Sequence, residues 1–326
     1  MQQILAVTFP FFALVLCGYA VARARLLPLE AIPGLNGFVL FFALPCMLYR
    51  FAASTPIVRL LDPGVLLTYL LAALSMVALT IAATRRGATG WNDASFGALV
   101  AAFPNSGFMG VPLLVALLGQ KAAAPAIVAL AVDMVATSSL CIALSRLDGA
   151  DRRSAARSVR NALQGMATNP LPWAILAGCL TAATGFQLWA PAMRTVEMLA
   201  DGASPVALFT IGTVLARSRI TTLASEGGAG HRLGDIPLVV AAKLIGHPAI
   251  VFGIGTLATL AGLPLEPFTL TVLVLVAALP SASNVPMLAE RFGADTGRVA
   301  RVVLATTALA FVSFSAAVAW LAPAAP

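Results

Sequence analysis

The sequence predicts an all-α integral membrane protein with ten transmembrane helices in a 5+5 inverted-topology repeat. Three observations lead to this fold class: the apolar composition, ten long apolar segments, and matching landmarks in the two halves. Of the 326 residues, 60% are apolar and 10% are charged. Soluble globular chains are about 45–50% apolar and about 25% charged. The composition therefore excludes an ordinary soluble enzyme.

Ten apolar segments are long enough for a bilayer crossing, which needs about 20 residues. In chain order they are 4–22, 34–54, 64–84, 94–118, 122–146, 169–187, 195–216, 236–262, 266–290 and 298–321. No positive charge precedes the first segment, which favours a span over a secretory signal.

The four cysteines lie in apolar runs without CxxC spacing. We therefore expect no disulfide framework, no metal and no cofactor.

The distribution of Lys and Arg predicts the orientation, because cytoplasmic loops retain positive charge. With the N-terminus outside, fifteen basic residues fall on the cytoplasmic side and four on the other. Both termini are thus predicted on the periplasmic side of the cytoplasmic (inner) membrane.

The net charge is +7, but the Lys and Arg residues are scattered between the spans, so no nucleic-acid partner is expected. The cytoplasmic linker 147–168 fits either an amphipathic helix on an anionic membrane surface or a solvated charged connection.

The two halves, 1–146 and 169–326, share landmarks that indicate an internal repeat. At an offset of 160, the matching pairs are Pro10 and Pro170, Gly18 and Gly178, and Pro45 and Pro205. Residues 103–114 also match residues 279–288, with two prolines each. Five spans are an odd number, so the second half would enter the membrane from the opposite side. Many secondary transporters are built from such inverted repeats.

Prolines interrupt the fourth and ninth predicted spans. They are Pro104 and Pro112 in one, and Pro280 and Pro286 in the other. Each removes a backbone donor and displaces a carbonyl, and such breaks persist in a bilayer only where protein or a wet cavity surrounds them. The candidate substrate ligands near them are Asn105, Ser106, Gly107, Ser281, Ser283 and Asn284. Helix N-termini there favour a carboxylate, freed carbonyls favour a small cation, and kinks that serve only packing are the alternative.

Ionisable residues inside other spans are candidates for ion coupling, with protons and sodium both open. Asp133 lies in the middle of the fifth span, and Lys243 and His247 share one face of the eighth. An intramembrane ionisable group suggests a functional site, and histidine can relay protons. Structural hydrogen bonds are the alternative for Asp133 and His247. Glu197 and Asp201 lie near the outer end of the seventh span, where contact with solvent is the simpler interpretation.

Four segments resemble landmarks of the auxin efflux carrier family, in its bacterial branch of malonate and malate carriers. They are FPNSGFMGVPLL, NPLPWAILAG, KLIGHP and LPSASNVPMLAERFG. The resemblance covers nearly the whole chain and implies a fold similar to that of bile-acid sodium symporters. It implies a scaffold domain from helices 1, 2, 6 and 7, which also forms a homodimer. Helices 3, 4, 5, 8, 9 and 10 would form an elevator-like transport domain with crossing helices 4 and 9.

The resemblance also assigns the family's asparagine after the first crossover proline to Asn105, whereas Asn284 is proposed from its own chemistry. The leading hypothesis is a secondary active carrier of a small organic anion that works by alternating access in the lipid bilayer. A channel and a non-transporting receptor for a small carboxylate are the alternatives. An enzyme is not expected, because the sequence contains no GxSxG or HExxH motif.

The topology predicts the location of the C-terminus. A reporter that works only in the cytoplasm, fused after Pro326, should be inactive, whereas a reporter that works only in the periplasm should be active. Activity of the cytoplasmic reporter would contradict the orientation. The same two reporters fused within residues 147–168 should give the opposite result.

Overall fold

The computed structural model of the protein describes residues 2–85, 89–147, 170–225, 234–263 and 265–321. Over these residues all regular elements are helical. The α-helices of the first half are α1 (Gln2–Arg23), α2 (Ile32–Phe38), α3 (Leu44–Ala53), α4 (Ile57–Leu60), α5 (Pro63–Thr84), α6 (Trp91–Ala102), α7 (Val111–Leu118), α8 (Ala123–Val132) and α9 (Ser138–Leu144). Those of the second half are α10 (Pro170–Thr184), α11 (Ala190–Ser225), α12 (Ile236–Ala241), α13 (His247–Leu260), α14 (Pro267–Ala278), α15 (Val285–Phe292) and α16 (Thr296–Leu321).

Four π-helical turns of five residues occur in the described chain. Three join consecutive helices, namely Val39–Ala43, Asp133–Thr137 and Ala242–Gly246, and the fourth, Ser106–Gly110, leads from the non-helical residues 103–105 into α7. A π turn inside an α-helix frequently marks a functional position. Three of the four contain or adjoin a residue that the sequence selects as a candidate ligand or coupling group.

Helices occupy all ten apolar segments, and seven helices in the described part of the chain are long and apolar enough to cross a membrane. Shorter apolar helices occupy the remaining three segments: Ser106–Leu118, Pro170–Thr184 and Pro267–Ala278. Large apolar side chains are exposed along many helices, for example Phe9, Trp173, Leu257 and Val312, as expected where lipid is the solvent. The all-α membrane class is thus supported, while the 5+5 repeat stays a prediction. The linker 147–168 lies, except for Leu147, outside the described residues.

The chain forms two units. The first consists of Met1–Asp62, Ser106–Val128 and Ala167–Ser225, and the second of Pro63–Asn105, Ala129–Met166 and Glu226–Pro326. The first unit includes α1 to α4, α7, α10 and α11, whereas α5, α6, α9 and α12 to α16 belong to the second. The division into scaffold and transport domains stays a prediction.

Glycines allow close helix packing in the first unit. A Cβ at Gly18 of α1 would overlap the carbonyl oxygen of Phe209 in α11, and one at Gly212 of α11 would overlap the Val15 carbonyl oxygen. In the packing of α10 against α3, a Cβ at Gly178 would lie 2.7 Å from the carbonyl oxygen of Tyr49. Small residues at such contacts are the usual way for membrane helices to approach closely.

A polar network in the second unit connects the beginnings of α6, α12 and α16. The Arg298 guanidinium binds Asp235 in a bidentate manner at 2.8 and 2.5 Å, and a third nitrogen donates to the Asp93 carbonyl at 2.7 Å. The Asp93 carboxylate in turn accepts from the Asp295 amide at 2.8 Å. A Cβ at Gly97 would lie 2.5 Å from the guanidinium, so this position needs glycine. The network fixes the start of α6, the helix that leads into the first proline break.

The glycine contacts predict a position-specific loss of stability. Gly212→Ala should destabilise the protein by about 1–3 kcal/mol, because the new methyl group overlaps the Val15 backbone and the helices must separate. The measurement is thermal unfolding of the purified protein in detergent. Gly202→Ala, in the same helix and with no atom within 4 Å of the new Cβ, is the control. It should leave stability unchanged or raise it by up to about 1 kcal/mol, and equal losses in both variants would contradict this packing.

Candidate substrate and coupling site

The two proline breaks of the second unit pair with each other through their backbones. The first break is residues 103–105, after α6, and the second is residues 279–284, between α14 and α15. The amide of Asn105 donates to the Pro280 carbonyl at 2.8 Å, and the amide of Ala282 donates to the Phe103 carbonyl at 2.9 Å. The result is an isolated antiparallel bridge centred on Pro104 and Ser281. Each break thereby supplies partners that the other has lost.

Ser281 satisfies a carbonyl that Pro104 leaves without its helical partner. A residue other than proline at position 104 would donate to the Val100 carbonyl, and proline lacks that N–H. The Ser281 hydroxyl donates to the Val100 carbonyl at 2.6 Å, and the Ser281 amide donates to the Thr306 hydroxyl at 3.2 Å. Ser281 is completely buried. Both of its donors are engaged in this conformation, so its predicted contact with substrate stays a prediction.

The second proline of each pair lies in helical structure rather than in the break. Pro286 is in the first turn of α15, where proline is tolerated because the first-turn amides have no partner within the helix. Pro112 directly follows the π turn Ser106–Gly110, in the first turn of α7. The interruptions are therefore shorter than the prolines suggest. In the first, the chain becomes helical again at Ser106 through a π turn.

The side-chain oxygen of Asn105 is buried without a hydrogen-bond partner among the described residues. The residue is 2% exposed. A buried polar atom without a partner is costly and calls for an explanation. The carboxamide carries an acceptor at one end and two donors at the other. Rotation of the carboxamide by half a turn would place its NH₂ donors where the unpaired oxygen now lies. In that orientation Asn105 could donate to a carboxylate.

The other predicted ligands lie in different surroundings. Ser283 and Asn284 are half-buried, and Asn284 precedes α15 without capping it through its side chain. In the first turn of α15 the Val285 amide donates to the Ala282 carbonyl at 3.3 Å, and Pro286 has no amide proton. Ser106 and Gly107 are buried in the π turn that belongs to the first unit. In the second unit the structure brings together Asn105 and Ser281, with Ser283 and Asn284 following in the same break.

Asp133 lies in a completely buried polar cluster of the second unit. Tyr69 donates to one carboxylate oxygen at 2.8 Å, and the Thr137 hydroxyl donates to the other at 3.1 Å. The Ser138 hydroxyl donates to the Asp133 backbone carbonyl at 2.8 Å. Sequence reasoning did not select Tyr69. Its signal was weak: one of three tyrosines in the chain, in the middle of the apolar third span.

Lys243 and His247 are also completely buried, and they contact each other. The Lys243 Nζ lies 3.0 Å from the Ala277 carbonyl oxygen and 3.1 Å from His247 Nδ1. Lys243 interacts electrostatically with Asp133, and the rings of His247 and Tyr69 lie 6.1 Å apart. His247 Nε2 is buried without a hydrogen-bond partner in the part of the chain that the structure describes. Thus the three predicted coupling residues form one cluster, together with Tyr69.

The remaining acidic candidates of the first unit form surface ion pairs. Asp201 binds Arg50 at 2.6 Å, and Glu197 binds Arg194 at 3.3 Å. Contact with solvent at this end of α11 was the simpler interpretation, and the 68% exposure of the Asp201 side chain agrees with it. No group of three or more His, Cys, Asp or Glu residues suited to a metal occurs among the described residues.

Comparison with known proteins connects this geometry to a family. The sequence matches the family described as membrane transport protein over residues 4–318, almost its whole length. The chain belongs to this family. This family includes the auxin efflux carriers, so the match confirms the predicted resemblance. The chain is therefore an integral membrane protein of a transporter family.

One curated relative gives a more specific comparison. A protein of Rhizobium meliloti (strain 1021), named "Putative malonate transporter", is 28% identical over 312 residues. The similarity covers 95% of this chain and 93% of the relative. It therefore includes both breaks and the buried cluster, rather than one half of the membrane transport protein fold.

The break geometry predicts a contrast between two serines. Ser281→Ala should destabilise the protein by about 1–3 kcal/mol, because the Val100 carbonyl would stay buried without a partner. Ser283→Ala is the matched control, and it should change stability by less than about 0.5 kcal/mol. Thermal unfolding in detergent without ligand measures both. Equal stability of the two variants would contradict a structural role for the Ser281 hydroxyl.

Proposed function

We propose that the protein is a secondary active transporter of a small organic anion, a carboxylate, which it moves across the cytoplasmic membrane by alternating access. The observation that carries the proposal is the buried Oδ1 atom of Asn105, which has no hydrogen-bond partner among the described residues and lies beside the paired breaks. Membership in the membrane transport protein family supports transport. Discontinuous membrane helices are the usual location of substrate sites in secondary carriers.

The proposed ligands suit a carboxylate. The positive end of the α15 dipole favours an anion at this break, and Ser283 and Asn284 directly precede the helix. Asn105 adds two donors after rotation of its carboxamide. Ser106 and Gly107, which follow Asn105 in the chain, remain proposed ligands, and Ser281 is proposed mainly as the residue that holds the break in place.

The substrate class we favour is a short carboxylic acid, with malonate-like dicarboxylates the first candidates. The support is the printed name of the Rhizobium meliloti relative, together with the small polar residues at the site. The absence from this sequence of the large hydrophilic central loop of the plant auxin carriers points in the same direction.

Contacts within each unit support the 5+5 inverted repeat. Gly18 and Gly178 are repeat mates at an offset of 160 residues, and each makes a backbone-close contact with another helix of the first unit. The contact of Gly18 is with α11 in the seventh predicted span, and that of Gly178 is with α3 in the second. These spans are themselves repeat mates. In the second unit the two breaks exchange one hydrogen bond in each direction, as crossing helices 4 and 9 would.

The mechanism we propose is elevator-like. The domain formed by helices 3, 4, 5, 8, 9 and 10 would carry the substrate, and helices 1, 2, 6 and 7 would form the scaffold and a homodimer, as the family resemblance implies. Both termini would lie on the periplasmic side. Asp133, Lys243 and His247 would couple transport to an ion.

A channel and a non-transporting receptor are the competing functions. A channel would conduct without saturation, and a receptor would bind without flux. An enzyme is not favoured, because the family is one of transporters. Counterflow in proteoliposomes separates these functions: a carrier should show saturable exchange of labelled malonate, malate or a short monocarboxylate. Exchange that stays linear with concentration, or binding without exchange, would refute the proposal.

The site assignment predicts the effect of one side chain on affinity. Asn105→Ala should weaken substrate binding about 10- to 150-fold, the loss expected when a hydrogen bond to a charged group is removed. Binding is measured by tryptophan fluorescence or by ligand-induced thermal stabilisation. Asn284→Ala should also weaken binding, whereas Asn36→Ala in α2, outside the proposed site, should bind like the wild type. Unchanged affinity of both site variants would overturn the assignment.

A further inference from the structure

Helix α14 ends at Ala278 in the interior of the second unit, where its last carbonyls have no partners in the next turn. The carbonyls at a helix C-terminus carry the negative end of the helix dipole. Leu279 continues in an extended conformation, and its amide reaches the Val276 carbonyl at 3.2 Å. The last turns of α14, from Val272 to Ala278, are buried. A cation at this end would therefore be strongly favoured over bulk water.

Lys243 supplies that cation from a neighbouring helix. Its Nζ donates to the Ala277 carbonyl at 3.0 Å, in the last turn of α14. Lys243 belongs to the π turn between α12 and α13. Its side chain is completely buried. The second contact of the ammonium is His247 Nδ1 at 3.1 Å. The bond requires Nδ1 to accept, so the proton of a neutral imidazole lies on Nε2.

The charges around the ammonium are balanced within the second unit. Asp133 is the acidic group that interacts with Lys243, and it is itself held by Tyr69 and Thr137. The titratable neighbours of this pair are Tyr69, His247 and Cys141. A buried ion pair persists only when both charges are paired and hydrogen-bonded. Here the Asp133 carboxyl accepts from Tyr69 and Thr137, and the Lys243 amine contacts the Ala277 carbonyl and His247.

The corresponding end of α6 is treated differently. The Val100 carbonyl there receives the neutral hydroxyl of Ser281 at 2.6 Å, whereas α14 receives a full positive charge. In secondary carriers, the unwound carbonyls and the C-terminal ends of broken helices are the groups that coordinate sodium ions or protons. The Lys243 ammonium would supply the same single positive charge as a sodium ion. It contacts a carbonyl oxygen at such a helix end, but unlike the ion it is covalently attached to the protein.

We propose that Lys243 is a built-in cation, which occupies at the C-terminal end of α14 the place of an alkali-metal coupling ion. Asp133 is its counter-charge. The carrier therefore binds neither sodium nor lithium at this break and transports without them. This inference rests on the proposed function only for its consequence in coupling, because the ion site itself is a property of the protein without substrate.

The first experiment measures thermal unfolding of the purified wild type in sodium, lithium, potassium and choline chloride at equal ionic strength. The expected result is the same unfolding midpoint in all four salts. A saturable stabilisation by sodium or lithium over potassium and choline would overturn the proposal, and so would stoichiometric binding of radioactive sodium.

The second experiment removes the ammonium. Lys243→Met should lower the unfolding midpoint by about 5–10 °C, because Asp133 would be left buried without its opposite charge. The double variant Asp133→Asn, Lys243→Met should regain at least half of this loss, since both charges are then absent. Lys121→Met, at the only other lysine of the chain and on an exposed position, should have no effect. A double variant no more stable than Lys243→Met would contradict the pairing.

A chemical rescue completes the test. Methylammonium chloride should raise the unfolding midpoint of Lys243→Ala but not of the wild type, because the small cation enters the space left by the side chain. Equal concentrations of choline chloride, which is too large, should have no such effect. No difference between the two salts would count against a cation at this position. None of these readouts involves substrate, so they are independent of the Asn105→Ala test.

Discussion

A backbone that is interrupted inside a bilayer must find new partners for its freed polar groups, and this requirement governs the second unit. Each unpaired group in hydrocarbon costs several kcal/mol. The two breaks meet the requirement by bonding to each other, through one amide and one carbonyl from each side. The remaining helix ends receive the Ser281 hydroxyl and the Lys243 ammonium. The contact of the Ser281 hydroxyl with the Val100 carbonyl follows directly from Pro104, which cannot donate to that carbonyl.

The two units solve different packing problems. The first unit places its charges at the surface, as the exposed pair of Arg50 and Asp201 shows, and brings its helices together through glycine. The second unit keeps Asp133 and Lys243 inside, where they must be satisfied by fixed neighbours. Packing through glycine leaves few polar groups to satisfy, whereas buried polar groups each need a fixed partner.

The sequence was sufficient for the positions of the apolar helices and for the importance of the breaks. Hydropathy and proline chemistry are local properties, so Pro104 and Pro280 are recognisable without a structure. Contacts between distant residues were not predictable. Tyr69 was missed because its partner lies 64 residues further along the chain, and nothing local reveals that the Ser281 hydroxyl reaches the Val100 carbonyl. The place of the second prolines was not predictable either, because composition alone does not show that the chain is helical again before Pro112 and from Val285 onwards.

The pairing of the breaks involves backbone atoms, which every amino acid carries. Evolution can therefore exchange the side chains beside the bridge without dismantling it, provided that the prolines and the glycine contacts remain. Ser283, Asn284 and the exposed Met287 are positions of this kind. A lineage with this architecture can thus change its nutrient or its exported metabolite through a few substitutions at the rim of the site. Between distant relatives that are similar over their full length, the architecture is accordingly more conserved than the substrate. A substrate name transferred from one to the other is therefore less reliable than the fold.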